Sequence, residues 1–374
     1  MKIEFYRHNL SQEDKEECMK VLDSLFLTTG ESVKKFESQF AQYMGAKYAV
    51  GLTSCTAALH LALQYFNIGE GDEVITTPMT FIATANTIEY CGARPVFVDV
   101  EPDTGNMDAA LIEKAITPRT KAIIPIHLYG QLCDMKRIRE IADKHHLKII
   151  EDAAHCIEGA RDGVKPGQLS DMACYSFYAT KNLTCGEGGA ITCNDPAIYE
   201  WLMKARQHGM SKSAADRYSV RYQHYDMEFL GWKYNLSNIA ASLMVHQIGR
   251  LDNYLEQKEK IAVQYNNGFK NNAGIQVPAV LRGTVHARHL YTIWVDPACR
   301  DKYIQEMQEA GIGIAVNFRS LHRMSFYTKK YCYKAGDFPA CEKIADSTIT
   351  LPFYTRLTAE EIKYIIDKVN QIVS

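Results

Sequence analysis

No two cysteines in this sequence stand in a CxxC pair, although the chain carries 11 of them, an odd and scattered set. That absence speaks against a disulfide framework and against a zinc site, so no metal is expected and a reducing cytosol is the expected setting. Neither sign of charge predominates, with 42 Lys and Arg against 44 Asp and Glu. Without a basic stripe the chain is not expected to bind nucleic acid, and an anionic substrate has to be met by local groups rather than a long-range field. Long apolar runs are missing too. The first residues, Met1-Lys2-Ile3-Glu4-Phe5-Tyr6-Arg7, mix both charges where a signal peptide needs an uninterrupted apolar stretch. The longest stretch free of Asp, Glu, Lys and Arg, Tyr48 to Gly69, is broken by Thr53, Ser54, Thr56, His60, Gln64 and Asn67. It therefore reads as a strand and helix of a core, not as a membrane span. A cytoplasmic protein without membrane partners is the expectation. No internal repeat or low-complexity linker appears.

What is present is an α/β pattern. At 374 residues the chain exceeds the size at which a single core stops growing, so a large domain and a smaller one are expected. Apolar runs at Val74 to Thr76, Val96 to Asp99, Ala122 to Ile126, Lys148 to Glu151, Cys174 to Phe177 and Ala190 to Cys193 read as strands. Phe81 to Tyr90, Asp108 to Ile116 and Met135 to His146 read as helices between them, the last with Met135, Ile138, Ile141 and Ala142 on one face. This alternation predicts a mixed, mostly parallel sheet. From Asn235 one long helical region runs past Ile261. The tail offers strands at Leu290 to Val295 and Gly313 to Asn317 and helices at Lys302 to Glu309 and Glu360 to Ile372, so it reads as a smaller α+β domain. The boundary is placed near Leu255, giving domains 1–255, which includes the N-terminal segment, and 256–374.

Three stretches carry chemistry. In Ser176-Phe177-Tyr178-Ala179-Thr180-Lys181-Asn182-Leu183-Thr184-Cys185-Gly186-Glu187-Gly188-Gly189 a lone lysine follows an apolar run and precedes a glycine-rich turn. A lysine attacks carbonyls only when neutral, and burial near a strand end would supply that. Such a lysine suits a Schiff base with pyridoxal phosphate; on the segment alone, a surface lysine in a polar loop fits equally. The second stretch, Glu151-Asp152-Ala153-Ala154-His155, ends a strand-like run, where ligands of open α/β sheets bind. A buried Asp152 there would keep a pyridinium nitrogen protonated; the alternative is that it caps a following helix. Third, Thr53-Ser54-Cys55-Thr56 leads from Tyr48 to Leu52 into an alanine-rich helix, whose N-terminus can cradle a phosphate.

With these residues in place, the chain resembles the DegT-like nucleotide-sugar aminotransferases, pyridoxal-phosphate enzymes of the aspartate-aminotransferase fold (fold type I), nearly end to end. The match runs through Leu27-Thr28-Thr29-Gly30, Thr77-Pro78-Met79-Thr80-Phe81, Pro125 to Gly130, Gly231-Trp232-Lys233-Tyr234-Asn235-Leu236 and Asn317-Phe318-Arg319-Ser320-Leu321-His322. Many members carry asparagine and arginine where this chain has Lys233 and Asn235. The lysine-tyrosine-asparagine form is similar to the branch making UDP-aminoarabinose, which usually has a tryptophan where Phe81 stands.

The resemblance implies roles residue by residue. Lys181 holds the cofactor and moves the proton, and Asp152 pairs with the ring nitrogen. Phe81 stacks on the ring, and His155 stands near its phenolic oxygen. Ser176, Cys55 and Thr56 bind the phosphate, completed by Asn235 or Lys233 from a second subunit of a homodimer with shared sites. Thr29, Lys233, Arg319 and His322 face the substrates. These are expected to be a nucleotide-linked keto sugar, UDP-linked and aminated at C4, and L-glutamate as amino donor. Two alternatives accompany this reading: a dehydratase of the same family, whose members have a histidine at the lysine position, and a non-catalytic cofactor-binding regulator.

Overall fold

The computed structural model describes residues 1–211 and 224–373. Its central sheet has seven strands: β1 (Tyr48–Leu52), β2 (Glu73–Thr76), β3 (Arg94–Phe97), β4 (Thr120–Ile123), β5 (Lys148–Asp152), and, after the short β6 (Ala160–Arg161), β7 (Met172–Ser176) and β8 (Gly189–Cys193). The order across it is β1-β8-β7-β5-β4-β2-β3. All neighbours pair in parallel except β8, which runs against both β1 and β7. Every residue of β2, β7 and β8 is buried, as a sheet covered on both faces requires.

Helices α1 (Gln12–Leu22) and α2 (Glu31–Met44) precede this sheet, and α3 (Cys55–Tyr65), α4 (Ile82–Tyr90), α5 (Ala109–Ala115), α6 (Met135–His145) and α7 (Pro196–Ala205) follow its strands. The amphipathic spacing of α6 puts Met135, Ile138, Ile141 and Ala142 inside, and Asp134 caps its N-terminus through the Arg137 N–H. Beyond lie α8 (Asn238–Val245), α9 (Leu251–Phe269) and β9 (Thr284–Val285), which pairs with β6. A second core forms around β10 (Tyr291–Trp294), α10 (Arg300–Glu309), β11 (Thr348–Leu351) and α13 (Ala359–Ile372), with α11 (Ser325–Tyr331) and α12 (Pro339–Ser347) between.

The expected strands and helices of the first half appear within a few residues of their expected limits. Elsewhere the structure differs. Gly313 to Asn317 is not a strand but a single bridge, Ala315 to Thr350 of β11, the strand that also pairs with β10. The helical region after Asn235 is interrupted between α8 and α9. At that break the Gln247 amide donates to the Thr184 carbonyl at 2.7 Å and accepts from the Thr184 N–H at 3.3 Å, fastening it to the Lys181 loop. No helix begins at Asp152; a turn follows, closed by the Cys156 N–H on the Ala153 carbonyl. Residue 255 lies inside α9, which carries Leu251 into the first core and Ile261, Ala262, Tyr265 and Phe269 into the second. The N-terminal segment does not pack with the large domain alone: Ile3 belongs to the second core, held by backbone bonds to Gly311 and Gly313 at 2.8 Å. No described helix is long and apolar enough to cross a membrane.

Candidate active site

Strand direction gathers the candidates at one edge. β5 and β7 end at Asp152 and Ser176, and β8, running the other way, begins there at Gly189. Register places Leu52, Gly189 and Ser176 in one row. A Cβ at position 189 would collide with the backbone of Ser54 and Cys55, so glycine lets β8 begin directly against the start of α3. Ser54 caps that helix through the Ala57 N–H at 3.1 Å. The N–H groups of Cys55 and Thr56 therefore lead off the helix end, ready for an anion. The Cys55 thiol stands 3.9 Å from Asp152 Oδ1, so what Cys55 brings to the cradle is its backbone. Ser176 Oγ accepts from the Tyr178 N–H at 3.3 Å, which fixes its rotamer at the rim.

Asp152 is 7 % exposed. A buried carboxylate needs donors, and two are supplied: Thr84 Oγ1 at 2.7 Å to Oδ2 and the Ala154 N–H at 3.2 Å to Oδ1. Thr84 in turn shares a hydrogen bond with Thr80 at 2.9 Å, and Thr87 donates to the Thr84 carbonyl.

Lys181 extends into a cavity of about 400 Å³ that is also lined by Cys55, Thr56, Phe81, Asp152, His155 and Ser176. Burial pulls its amine down to about 8, against the opposing pull of Asp152 and Cys55. It is thus much closer to neutrality than a free lysine. His289 Nε2 lies 3.4 Å from Lys181 Nζ. His155 accepts the Tyr129 N–H on Nδ1 at 3.3 Å and packs against His289 and the Phe318 ring, at 4.4 and 5.7 Å between centroids. Burial, with Lys181 second, holds the His155 ring well below the usual histidine range, and burial, again before Lys181, does the same to His289. Phe81 remains 56 % exposed at the head of α4, its ring 6.0 Å from that of Phe318.

Five expected residues lie elsewhere in the chain. Thr29 and Asn235 sit together, the Asn235 amide donating to Thr29 Oγ1 at 2.7 Å and Thr29 Oγ1 donating to the Leu236 carbonyl at 3.0 Å, apart from the Lys181 cavity. Lys233 is exposed and bridges Gln207 through its backbone. Arg319 is exposed in a separate cleft with Arg300 and Arg323. His322 is fully buried, its Nε2 3.0 Å from Glu342 and its ring against Phe338. Within this chain it is a buried histidine held through Nε2 alone, its Nδ1 having no hydrogen-bond partner among the described residues.

Sequence reasoning missed His289 and Thr84 of this site, and in the matched Asn317 to His322 motif the residues that line the cavity are Asn317 and Phe318 rather than Arg319 and His322. His289 precedes a strand, the opposite end from where ligands of parallel sheets gather, so strand logic passes over it. Thr84 left a trace: Thr80, Thr84 and Thr87 fall at helical spacing on a largely apolar segment, and hydroxyls buried on one face need a partner.

A family model for the DegT/DnrJ/EryC1/StrS aminotransferase family matches residues 8–370. The chain is similar to the spore coat polysaccharide biosynthesis protein SpsC of Bacillus subtilis, 40 % identical over 97 % of this chain and 95 % of that one. It is 36 % identical to the GDP-perosamine synthase of Caulobacter vibrioides, covering 96 % and 94 %. Among solved structures, the putative sugar aminotransferase Spr1654 from Streptococcus pneumoniae in its PMP form superposes with a TM-score of 0.94, at 31 % identity over 99 % of both chains; its PLP form gives 0.93 at 30 %, over 100 % and 99 %. Fold and site thus define a pyridoxal-phosphate-dependent sugar aminotransferase of fold type I. This chain belongs to the DegT/DnrJ/EryC1/StrS family. The residues present fit the cofactor: a helix-end cradle that only glycine at 189 leaves open, a buried carboxylate, and a lysine near neutrality.

Proposed function

We propose that this protein transfers the amino group of L-glutamate to the C4 keto group of a UDP-linked sugar, in the cytoplasm, as a homodimer whose sites are shared, to supply cell-surface polysaccharide. The observation that carries the reading is the single cavity faced by Lys181 Nζ, the Asp152 carboxylate and the α3 N-terminus. When bound, pyridoxal phosphate supplies a ring that accepts the electron pair released at Cα of the amino donor. The chain supplies the rest. Asp152, held by Thr84 and the Ala154 N–H, keeps a negative charge where the ring nitrogen belongs. The Cys55 and Thr56 N–H groups and Ser176 Oγ orient the phosphate. Phe81 covers one ring face. His155, with Nδ1 occupied by the Tyr129 N–H, offers an Nε2 proton to an oxygen. Lys181 would take up a proton on Nζ from Cα of the amino donor and deliver it to the C4′ side of the cofactor, a task suited to an amine near neutrality.

Thr29, Asn235 and Lys233, which lie outside this cavity in their own chain, are proposed to complete the site of the second subunit. Lys233 and Arg319 are the proposed partners of the sugar's diphosphate, since arginine suits two-point contact with phosphate oxygens and the net charge of −2 gives no attraction from afar. Incubation with ¹⁵N-glutamate and a panel of UDP-, dTDP- and GDP-linked keto sugars, read by mass spectrometry, tests this. A labelled 4-amino UDP sugar is expected. Exclusive use of dTDP- or GDP-linked sugars, or amination at C3, would contradict the narrow form.

A further inference from the structure

Directly behind Lys181 lies a buried polar cluster that the chemistry above does not use. Asn182 Nδ2 donates to both Glu158 oxygens at 2.9 and 3.0 Å and to the Ala287 carbonyl at 2.8 Å, while Oδ1 accepts from Lys258 Nζ at 2.6 Å. Lys258 also donates to the Arg288 carbonyl at 3.0 Å. Glu158 and Lys258 are only 5 % and 8 % exposed. Burial pushes the Glu158 carboxyl up and the Lys258 ammonium down, each opposed by its partner or by Asn182. Two opposite charges taken out of water are a weak source of stability, so a packing role explains them poorly.

Their location suggests another role. Glu158 follows β5, Asn182 is the residue next to Lys181, and Lys258 lies on α9, the helix that passes into the second core. Ala287 and Arg288 immediately precede His289, which stands 3.4 Å from Lys181 Nζ. The Asn182 side chain thus ties the main chain at Lys181 to α9 and to the segment delivering His289. Lys181 itself faces Asp152, Cys55, His155 and His289.

We propose that Asn182 is a positioning residue: clamped by Glu158, Lys258 and the 287–288 backbone, it sets how deeply the Lys181 amine is buried. The proposal rests on Lys181 being the cofactor-bearing lysine, which borohydride trapping tests independently.

The test uses the full-length protein freed of cofactor, so that neither substrate nor turnover enters. Lys181 is reductively methylated with formaldehyde and cyanoborohydride across a pH series, and its modification is read by peptide mass spectrometry. Only the neutral amine reacts, so the midpoint reports its proton affinity. In Asn182→Ala, water reaches the amine and the midpoint is expected to rise by about one unit, leaving roughly tenfold less neutral amine near neutral pH. Lys258→Met is expected to move it in the same direction. Glu158→Gln, whose amide oxygen still accepts from Asn182, is expected not to raise it. Midpoints in Asn182→Ala and Lys258→Met equal to the parent's would overturn the proposal. If Asn182→Ala fails to fold, Asn182→Ser carries the same expectation and the same contrary result.

Discussion

Thr84 Oγ1 donates to Asp152 Oδ2 across 2.7 Å, from the face of α4 to the last residue of β5. Thr84→Val keeps the shape and removes the donor. A hydrogen bond to a charged group contributes about 1.5–3 kcal/mol, so kcat of the glutamate half-reaction is expected to fall roughly ten- to a hundredfold, with KM little changed. Stopped-flow measurement at saturating glutamate checks this. An unchanged rate would show that Asp152 does not need this donor.

His155 is expected to act as a neutral donor. Its depressed proton affinity, caused first by burial, means that the ring is uncharged at any pH above that low value, including the whole range near neutrality. His155→Gln, another neutral donor, should keep the pH–rate profile of the parent and most of its turnover, whereas His155→Phe should lose about tenfold. An acid limb near the ordinary histidine range that vanishes in His155→Gln would contradict a permanently neutral ring.

Much of this site is legible before folding because it follows strand ends. Asp152, Ser176 and Cys55–Thr56 each stand where an apolar run stops, and parallel strands bring such points to one edge. What escapes is whatever depends on long-range pairing. His289 sits ahead of β10, and Asn182, Glu158 and Lys258 come together only because α9 continues from one core into the next. The alternating Thr348 to Leu351 is too short to announce β11, and Gly313 to Asn317, expected as a strand, makes only the Ala315 bridge to Thr350.

Thr29 and Asn235 form their own hydrogen-bonded pair outside the Lys181 cavity, which predicts complementation between subunits. Protomers carrying Lys181→Ala, mixed with protomers carrying Lys233→Ala and Asn235→Ala together, should regain part of the parent activity. Subunit exchange shown by native mass spectrometry without any recovery would mean that each site is built from one chain.

Arg319 and His322, three residues apart in one segment, are expected to behave differently. Arg319 is exposed beside Arg300 and Arg323, so Arg319→Ala should raise the apparent KM for the sugar nucleotide several-fold at unchanged kcat, an effect that shrinks with salt. His322 is buried on Glu342, so His322→Ala should lower unfolding free energy by about 1–3 kcal/mol in urea titration. A salt-independent KM in Arg319→Ala, or unchanged stability in His322→Ala, would reverse the assignment.

The most direct measurement is borohydride reduction of the purified holoprotein followed by peptide mapping. The cofactor's mass is expected on the peptide containing Lys181 and nowhere else, with Lys181→Ala giving no trapped peptide and no transamination of glutamate. Trapping on any other lysine, or full transamination by Lys181→Ala, would contradict the assignment of Lys181.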